Sequence, residues 1–220
     1  EIAAFSETHN DRRGRSYALW AQAIVHSVDN NPEAAAALIE AGRGDIIPGT
    51  ADDTVTRAID LFCQIYSQPP KIAQARIEEL RDDIAEFRDF NITHVCDWLL
   101  AVVAFKAGRL AEGWRRATAL EAELSSVGHV NLLRQFLNMR AEVLLSLFGL
   151  VDPDAEAPPD RPRFEREKPK LVDIATFAML RLRGKRLAEK DLLRCISLDP
   201  AGRGLHFARA QIGMGLIAKS

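Results

Sequence analysis

The stretch ITHVCDWLLAVVAFKAGRLAE, residues 92–112, decides the fold. Wound as a helix, it places Val95, Trp98, Leu99, Val102, Val103 and Phe105 on almost every side, with no strand-like alternation. A helix over residues 92–107 is therefore expected at the centre of a packed core. Gly108 closes it, and Arg109-Leu110-Ala111-Glu112 starts another after a short turn. Helix, glycine stop and restart with an acidic first turn make an α-hairpin.

The same grammar extends in both directions. Downstream, helices are expected over 109–125 and 130–148, closed by Gly128 and Gly149, with Leu133, Phe136, Leu137, Leu144 and Phe148 on one side of the second. Upstream, a helix over 17–28 is followed by Asn31-Pro32-Glu33, a capping residue before a proline at the first helical position. That motif opens a helix over 32–41, which Gly42 ends. Thr50 and Asp53 read as a capping box for a helix reaching about residue 66, and Pro69-Pro70 stops it and starts the next. Over 70–90, Ala73, Ile77, Leu80, Ile84 and Phe87 recur at 4-3-4-3 spacing, giving one buried stripe and one solvated face. Helices over 171–183, 185–198 and 205–218 complete the chain, with Gly184 and Asp199-Pro200 as punctuation. About ten helices and no strand candidate make an all-α protein.

Composition agrees with a globular chain. The 220 residues are 47% apolar, 27% charged and 7% aromatic, with a formal charge of −2, which excludes collagenous, disulfide-built and wholly disordered classes. At about 100–200 residues per domain, one or two domains fit. Residues 151–170 hold five of the ten prolines and eleven charged groups, and read as a linker or insertion loop between a helical array over 1–150 and its continuation over 171–220. The small net charge hides an asymmetry: residues 1–150 carry 15 basic and 21 acidic groups, and residues 171–220 carry 9 and 4. No run of about 18 apolar residues exists, so no membrane partner is expected. The Glu1 start and polar residues 6–15 hold no secretory leader, and a piece of a longer cytoplasmic chain is the simpler reading. Cys63, Cys96 and Cys195 are odd in number and sit in apolar helical runs, as small buried hydrophobes in a reducing compartment do.

An internal echo carries a family resemblance. Residues 107–112 and 184–189 share Arg-Leu-Ala-Glu at an offset of 77, and Gly108 and Gly149 lie 41 apart, spacings that suit helix-turn-helix repeats of 34–42 residues. Residues 92–149 and 171–218 resemble the tetratricopeptide repeats, in particular the long irregular repeats of bacterial signalling and transcription regulators. In residues 171–200, Ala188 stands at the family's small second-helix position, Leu192 and Cys195 at its next packing positions, and Pro200 at the proline that ends the unit. The family's tryptophan, glycine and tyrosine positions hold Val172, Thr176 and Met179, and Gly113 stands where alanine is expected. The resemblance implies antiparallel helix pairs stacked in a right-handed superhelix, acting as a non-enzymatic scaffold that binds a peptide or partner domain in a groove. Its groove positions would be Lys170, Asp173, Phe177, Leu180 and Arg181, with Trp98, Val102, Phe105 and Lys106 in the earlier unit. Neighbouring helices are expected to cover Trp98, Val102 and Phe105, so the partner-binding candidates are Lys106, Lys170, Asp173, Phe177 and Arg181. The partner is expected to be a protein or peptide of acidic character, with a homo-oligomer as an alternative; a ligand-sensing or effector domain of a bacterial regulator is the second reading.

Chemical motifs give less. Zinc-protease, P-loop, nucleophile-elbow and Glu-x-x-His signatures are absent, and His9, His26, His94, His129 and His206 are dispersed, so no cofactor is expected. His94, Cys96 and Asp97 diverge around a helix and cannot all face one ion. Asp82, Asp83 and Glu86, with Asp52, Asp53 and Asp60 as a second set, resemble the aspartate-rich motifs of isoprenoid synthases and suggest a third reading, Mg²⁺-dependent diphosphate chemistry. The motif order is reversed, and a solvated acidic face is the plainer account. Arg43-Gly44-Asp45 reads as a turn after a helix. Arg186, Lys190 and Arg194 form a basic stripe at i, i+4, i+8, suited to an acidic protein or the chain's own acidic front; without interleaved aromatics, nucleic acid is not expected.

Overall fold

Nine α-helices and no strand are present among the described residues of the computed structural model, which are 11–28, 31–65, 67–85, 90–151, 166–199, 201–202 and 205–219. They are α1 (Arg12–Val28), α2 (Pro32–Arg43), α3 (Ala51–Gln64), α4 (Pro70–Ala85), α5 (Phe90–Lys106), α6 (Leu110–Ser126), α7 (Val130–Ser146), α8 (Leu171–Ser197) and α9 (Leu205–Lys219). The protein is all-α, and neighbouring helices pack in pairs. Two compact units divide the chain, the described residues of one falling within 11–103 and those of the other within 104–151 and 166–219; α5 contributes residues 90–103 to the first and 104–106 to the second. His9, Glu86, Phe87, Pro200 and residues 152–165 of the Pro-rich segment lie outside the described residues, as does the side chain of His206.

The first unit packs α1 on α2 and α3, and α3 on α4. Ala23, Ala35, Ile39 and Cys63 form its core, with Leu38, Ile59 and Phe62 against them. The proposed cap of α2 is real: Pro32 stands at the first helical position and Asn31 Oδ1 accepts the Ala34 N–H at 3.2 Å. The expected capping box of α3 is not formed, since neither Thr50 nor Asp53 bonds the other's backbone N–H. Asp53 accepts the N–H of Gly49, at 3.0 Å, and the Thr50 hydroxyl turns back to donate to the Ile47 carbonyl at 2.7 Å. In α4 the expected stripe Ala73, Ile77, Leu80 and Ile84 is buried. The α5 run is covered nearly all round, with Cys96, Leu99, Leu100, Ala101, Val102, Val103 and Ala104 in the core.

The second unit packs α6, α7, α8 and α9, with α7 against each of the other three. Phe136, Leu137, Leu144, Leu145, Leu180, Ala188 and Cys195 are buried in it. One correction concerns α8: residues 171–183 and 185–198 are not two helices but parts of one, unbroken across Gly184. Glycine there answers to packing rather than termination. A Cβ on Gly184 would lie 2.8 Å from the Phe148 ring and 3.5 Å from Leu144, so the bare backbone is what lets α8 approach. The two Arg-Leu-Ala-Glu copies therefore occupy different settings, the first at the start of α6 and the second in the middle of α8. Gly113 has the same role as Gly184, since a Cβ there would meet the Phe105 ring at 2.7 Å. Gly108 is a genuine terminator: its φ of +83° is left-handed, and the Arg109 N–H returns to the Ala104 carbonyl at 2.9 Å.

A buried charge cluster joins α6, α7 and α8. Arg140 makes a bidentate pair with Asp191, Nε to Oδ2 at 2.7 Å and Nη2 to Oδ1 at 2.6 Å, and lies over the Trp114 and Phe136 rings. Glu121 meets Arg140 at 3.4 Å and also pairs with Arg194, which donates to Ser125 at 2.8 Å. Burial pushes the Asp191 carboxyl upward against the pull of Arg140.

Candidate functional site

The N-terminal half of α8 gathers three of the five partner-binding candidates and a feature absent from the sequence reading. Its entry is built from the chain before it. The Glu167 N–H donates to the Ala107 carbonyl at 2.9 Å, bringing the extended residues 166–170 beside the Gly108 turn. Asp173 then joins two helix starts: its Oδ1 accepts the Ala111 N–H of α6 at 2.9 Å, and its Oδ2 accepts the Lys170 N–H at 3.0 Å. The bond from Ala111, supported by that from Lys170, holds its carboxyl below the ordinary aspartate value despite burial. Asp173 is thus a buried capping group whose two oxygens are both engaged by backbone N–H groups.

Lys170, Phe177 and Arg181 are exposed on the same stretch, although Arg181 is anchored at one end. Its Nη1 donates to the Leu147 carbonyl at 2.6 Å and its guanidinium lies over the Phe148 ring, which Lys185 also faces. Leu180 is fully buried. In the earlier unit, Lys106 is half-buried at the end of α5, Val102 is buried, Phe105 rests on Gly113, and Trp98 packs against Phe62 with ring centroids 5.4 Å apart. The structure therefore brings Lys170, Phe177 and Arg181 together and commits the remaining candidates elsewhere.

Phe177 is one of a set of large apolar side chains in water. Leu171 is 86% exposed, Val172 57%, Ile174 52%, Phe177 45% and Leu182 87%. In helical projection the buried Asp173, Leu180 and Gly184 lie opposite Leu171 and Leu182, with Phe177 at the edge of the buried side and Val172 turned about 100° from Leu171. Leu171, Ile174 and Leu182 share one side of the helix, and neighbouring apolar exposure of that kind marks interaction surfaces, whereas scattered single residues are ordinary. Basic groups fall in the same stretch: Lys168, Lys170, Arg181, Arg183 and Arg186 are all exposed. The sequence did hold a signal, since residues 171–182 contain one acid, Asp173, among seven large apolar side chains. It was obscured by the expected break at Gly184, which assigned all of these residues to the short first helix of a repeat.

Other sequence candidates have structural uses. The stripe Arg186, Lys190 and Arg194 is divided: the first two are exposed, and Arg194 is spent on Glu121 and Ser125 inside the unit. Asp83 accepts from Arg57 at 2.6 Å, Asp52 from Arg13 at 2.9 Å, and buried Asp60 pairs with Arg76 at 2.8 Å and Arg43 at 3.4 Å. Asp82 is exposed. No group of three or more His, Cys, Asp or Glu side chains among the described residues could hold a metal ion. Asp97 faces Arg81 at 3.3 Å rather than joining His94 and Cys96. Arg43-Gly44-Asp45 is the turn that ends α2, with Arg43 also paired to Glu40 at 3.1 Å. All three cysteines are buried free thiols; desolvation pushes Cys63 up to about 11 and Cys96 up to about 12.

No protein-family model, curated protein or solved structure matches the chain. No helix among the described residues is long and apolar enough to cross a membrane.

Proposed function

We propose that the chain is a protein–protein interaction module that holds a peptide or partner domain against the N-terminal half of α8. The observation that carries this reading is the exposure of Leu171, Val172, Ile174, Phe177 and Leu182 along one short stretch of α8 that also carries exposed basic groups. Burying one such side chain in an interface gains about 1.5–3 kcal/mol, so a few of them support a specific complex. The stacked-hairpin resemblance supports the same class of function, with the docking face moved from a groove of paired helices to one helix end.

Affinity capture with mass spectrometry tests it, comparing the wild-type chain with Leu171→Glu/Leu182→Glu and with Lys170→Glu. Both leucines are almost wholly exposed, so the doubly substituted chain is expected to keep its helical content and melting temperature while losing the captured partner. Capture that is unchanged in the double variant would refute an α8 docking face.

A further inference from the structure

We infer that the docking face of α8 receives an amphipathic helix of about three turns with acidic flanks, contributed by a partner protein. The inference rests on the proposed interaction function and specifies its ligand. Length comes first. The 27-residue α8 outruns the 15-residue α9, which folds back along its C-terminal part with Gly213 against Leu192. At about 1.5 Å per residue, the twelve residues by which α8 is longer leave roughly 18 Å of helix without that neighbour. This is the length of a helix of about three turns.

Relief along the face points the same way. Leu171, Ile174, Ala178 and Leu182 follow one another at helical spacing, with Ala175 beside them, and all are exposed. Ala175 and Ala178 are small and stand between the large Ile174 and Leu182, a ridge-and-gap relief into which side chains of a crossing helix can interdigitate. A bilayer would gain little from the alanines, so the contour favours a helix over a lipid surface.

Charge selects the flanks of the ligand. Lys168, Lys170, Arg181, Arg183, Lys185 and Arg186 all fall in this stretch, and Glu167 and Asp173 are the only acids in residues 166–188. Glu167 lies 4.0 Å from Arg109, and Asp173 is occupied by two backbone N–H groups. The same face of a second copy would bring these cations against their like, whereas acidic flanks would meet them favourably.

A displayed library of helix-forming peptides, selected against the full chain, is the test. Enriched sequences are expected to carry apolar residues at i, i+3 or i+4 and i+7, with Asp or Glu on either side. The leading peptide, followed by fluorescence anisotropy, is expected to bind Leu171→Glu/Leu182→Glu about tenfold or more weakly, and the wild type more weakly as salt rises. Enrichment of neutral or basic peptides, or of peptides indifferent to the α8 substitutions, overturns the inference. So does the absence of any enriched peptide when phosphatidylserine vesicles sediment the wild type and not the double variant, or when the wild type forms a dimer that the double variant lacks. If affinity capture still shows a cellular partner lost from the double variant, such a result removes the acidic helix alone and leaves the interaction function standing. If capture is insensitive to α8, both fall.

Discussion

Asp173 and Gly184 show how one position can be misread when its partner is distant in the chain. Asp173 lies in the first turn of α8, where any acid is favourable, yet one of its oxygens serves Ala111 of α6. Asp173→Ala removes a cap from two helix starts, and is expected to cost about 1–2 kcal/mol in urea unfolding. Because folding lowers this carboxyl's pKa, its contribution is complete above the ordinary aspartate value and disappears as pH falls through the lower folded value. The alanine variant is accordingly expected to lose part of the wild type's acid sensitivity, which melting curves over a falling pH series would reveal. At Gly184, alanine would ordinarily stabilise a helix interior by about 1 kcal/mol. With Phe148 2.8 Å from the added Cβ, the expected sign is reversed, a loss of roughly 1–3 kcal/mol. Placing the same change in a Phe148→Leu background should recover the difference, and a double-mutant cycle that finds no coupling would contradict the packing account.

Elements were legible where their signals are local. The Asn31-Pro32 start of α2, the Ala73 to Ile84 stripe of α4 and the all-round apolar α5 depend on neighbours within a turn or two, and each appears as read. The long α8 did not, because the cost of glycine in a helix is about 1 kcal/mol and tertiary contact decides whether it is met. Nothing in residues 171–198 announces the Phe148 ring that makes Gly184 useful. The exposed apolar residues of α8 stayed hidden for the same reason: periodicity identifies a stripe that can be buried, and only the lengths of α8 and α9 show which part is left without that neighbour. A further element-scale expectation concerns the cluster that ties α6, α7 and α8. Replacing Asp191 by alanine leaves the buried Arg140 guanidinium with the longer Glu121 contact alone and is expected to cost about 3 kcal/mol, whereas Arg140→Met with Asp191→Leu restores most of the melting temperature.

At the scale of the molecule, the charge asymmetry read from the sequence has been partly spent on folding. Arg194 from the basic tail pairs with Glu121 from the acidic front inside one unit, while the cations near the start of α8 remain at the surface. Both units also hide their thiols, Cys63 and Cys96 in the first and Cys195 in the second. A disulfide-exchange reagent at mildly alkaline pH is expected to react with none of the three in the native chain and with all three in denaturant; a thiol that titrates rapidly without denaturant would contradict its burial. The shared cap at Asp173 has a kinetic consequence. Ala111 and Asp173 are 62 positions apart, so their bond closes a long loop and belongs to the late part of folding. Its removal should leave the refolding rate nearly unchanged and speed unfolding. This carboxylate then acts as a latch, lengthening the lifetime of the folded chain more than it hastens its formation.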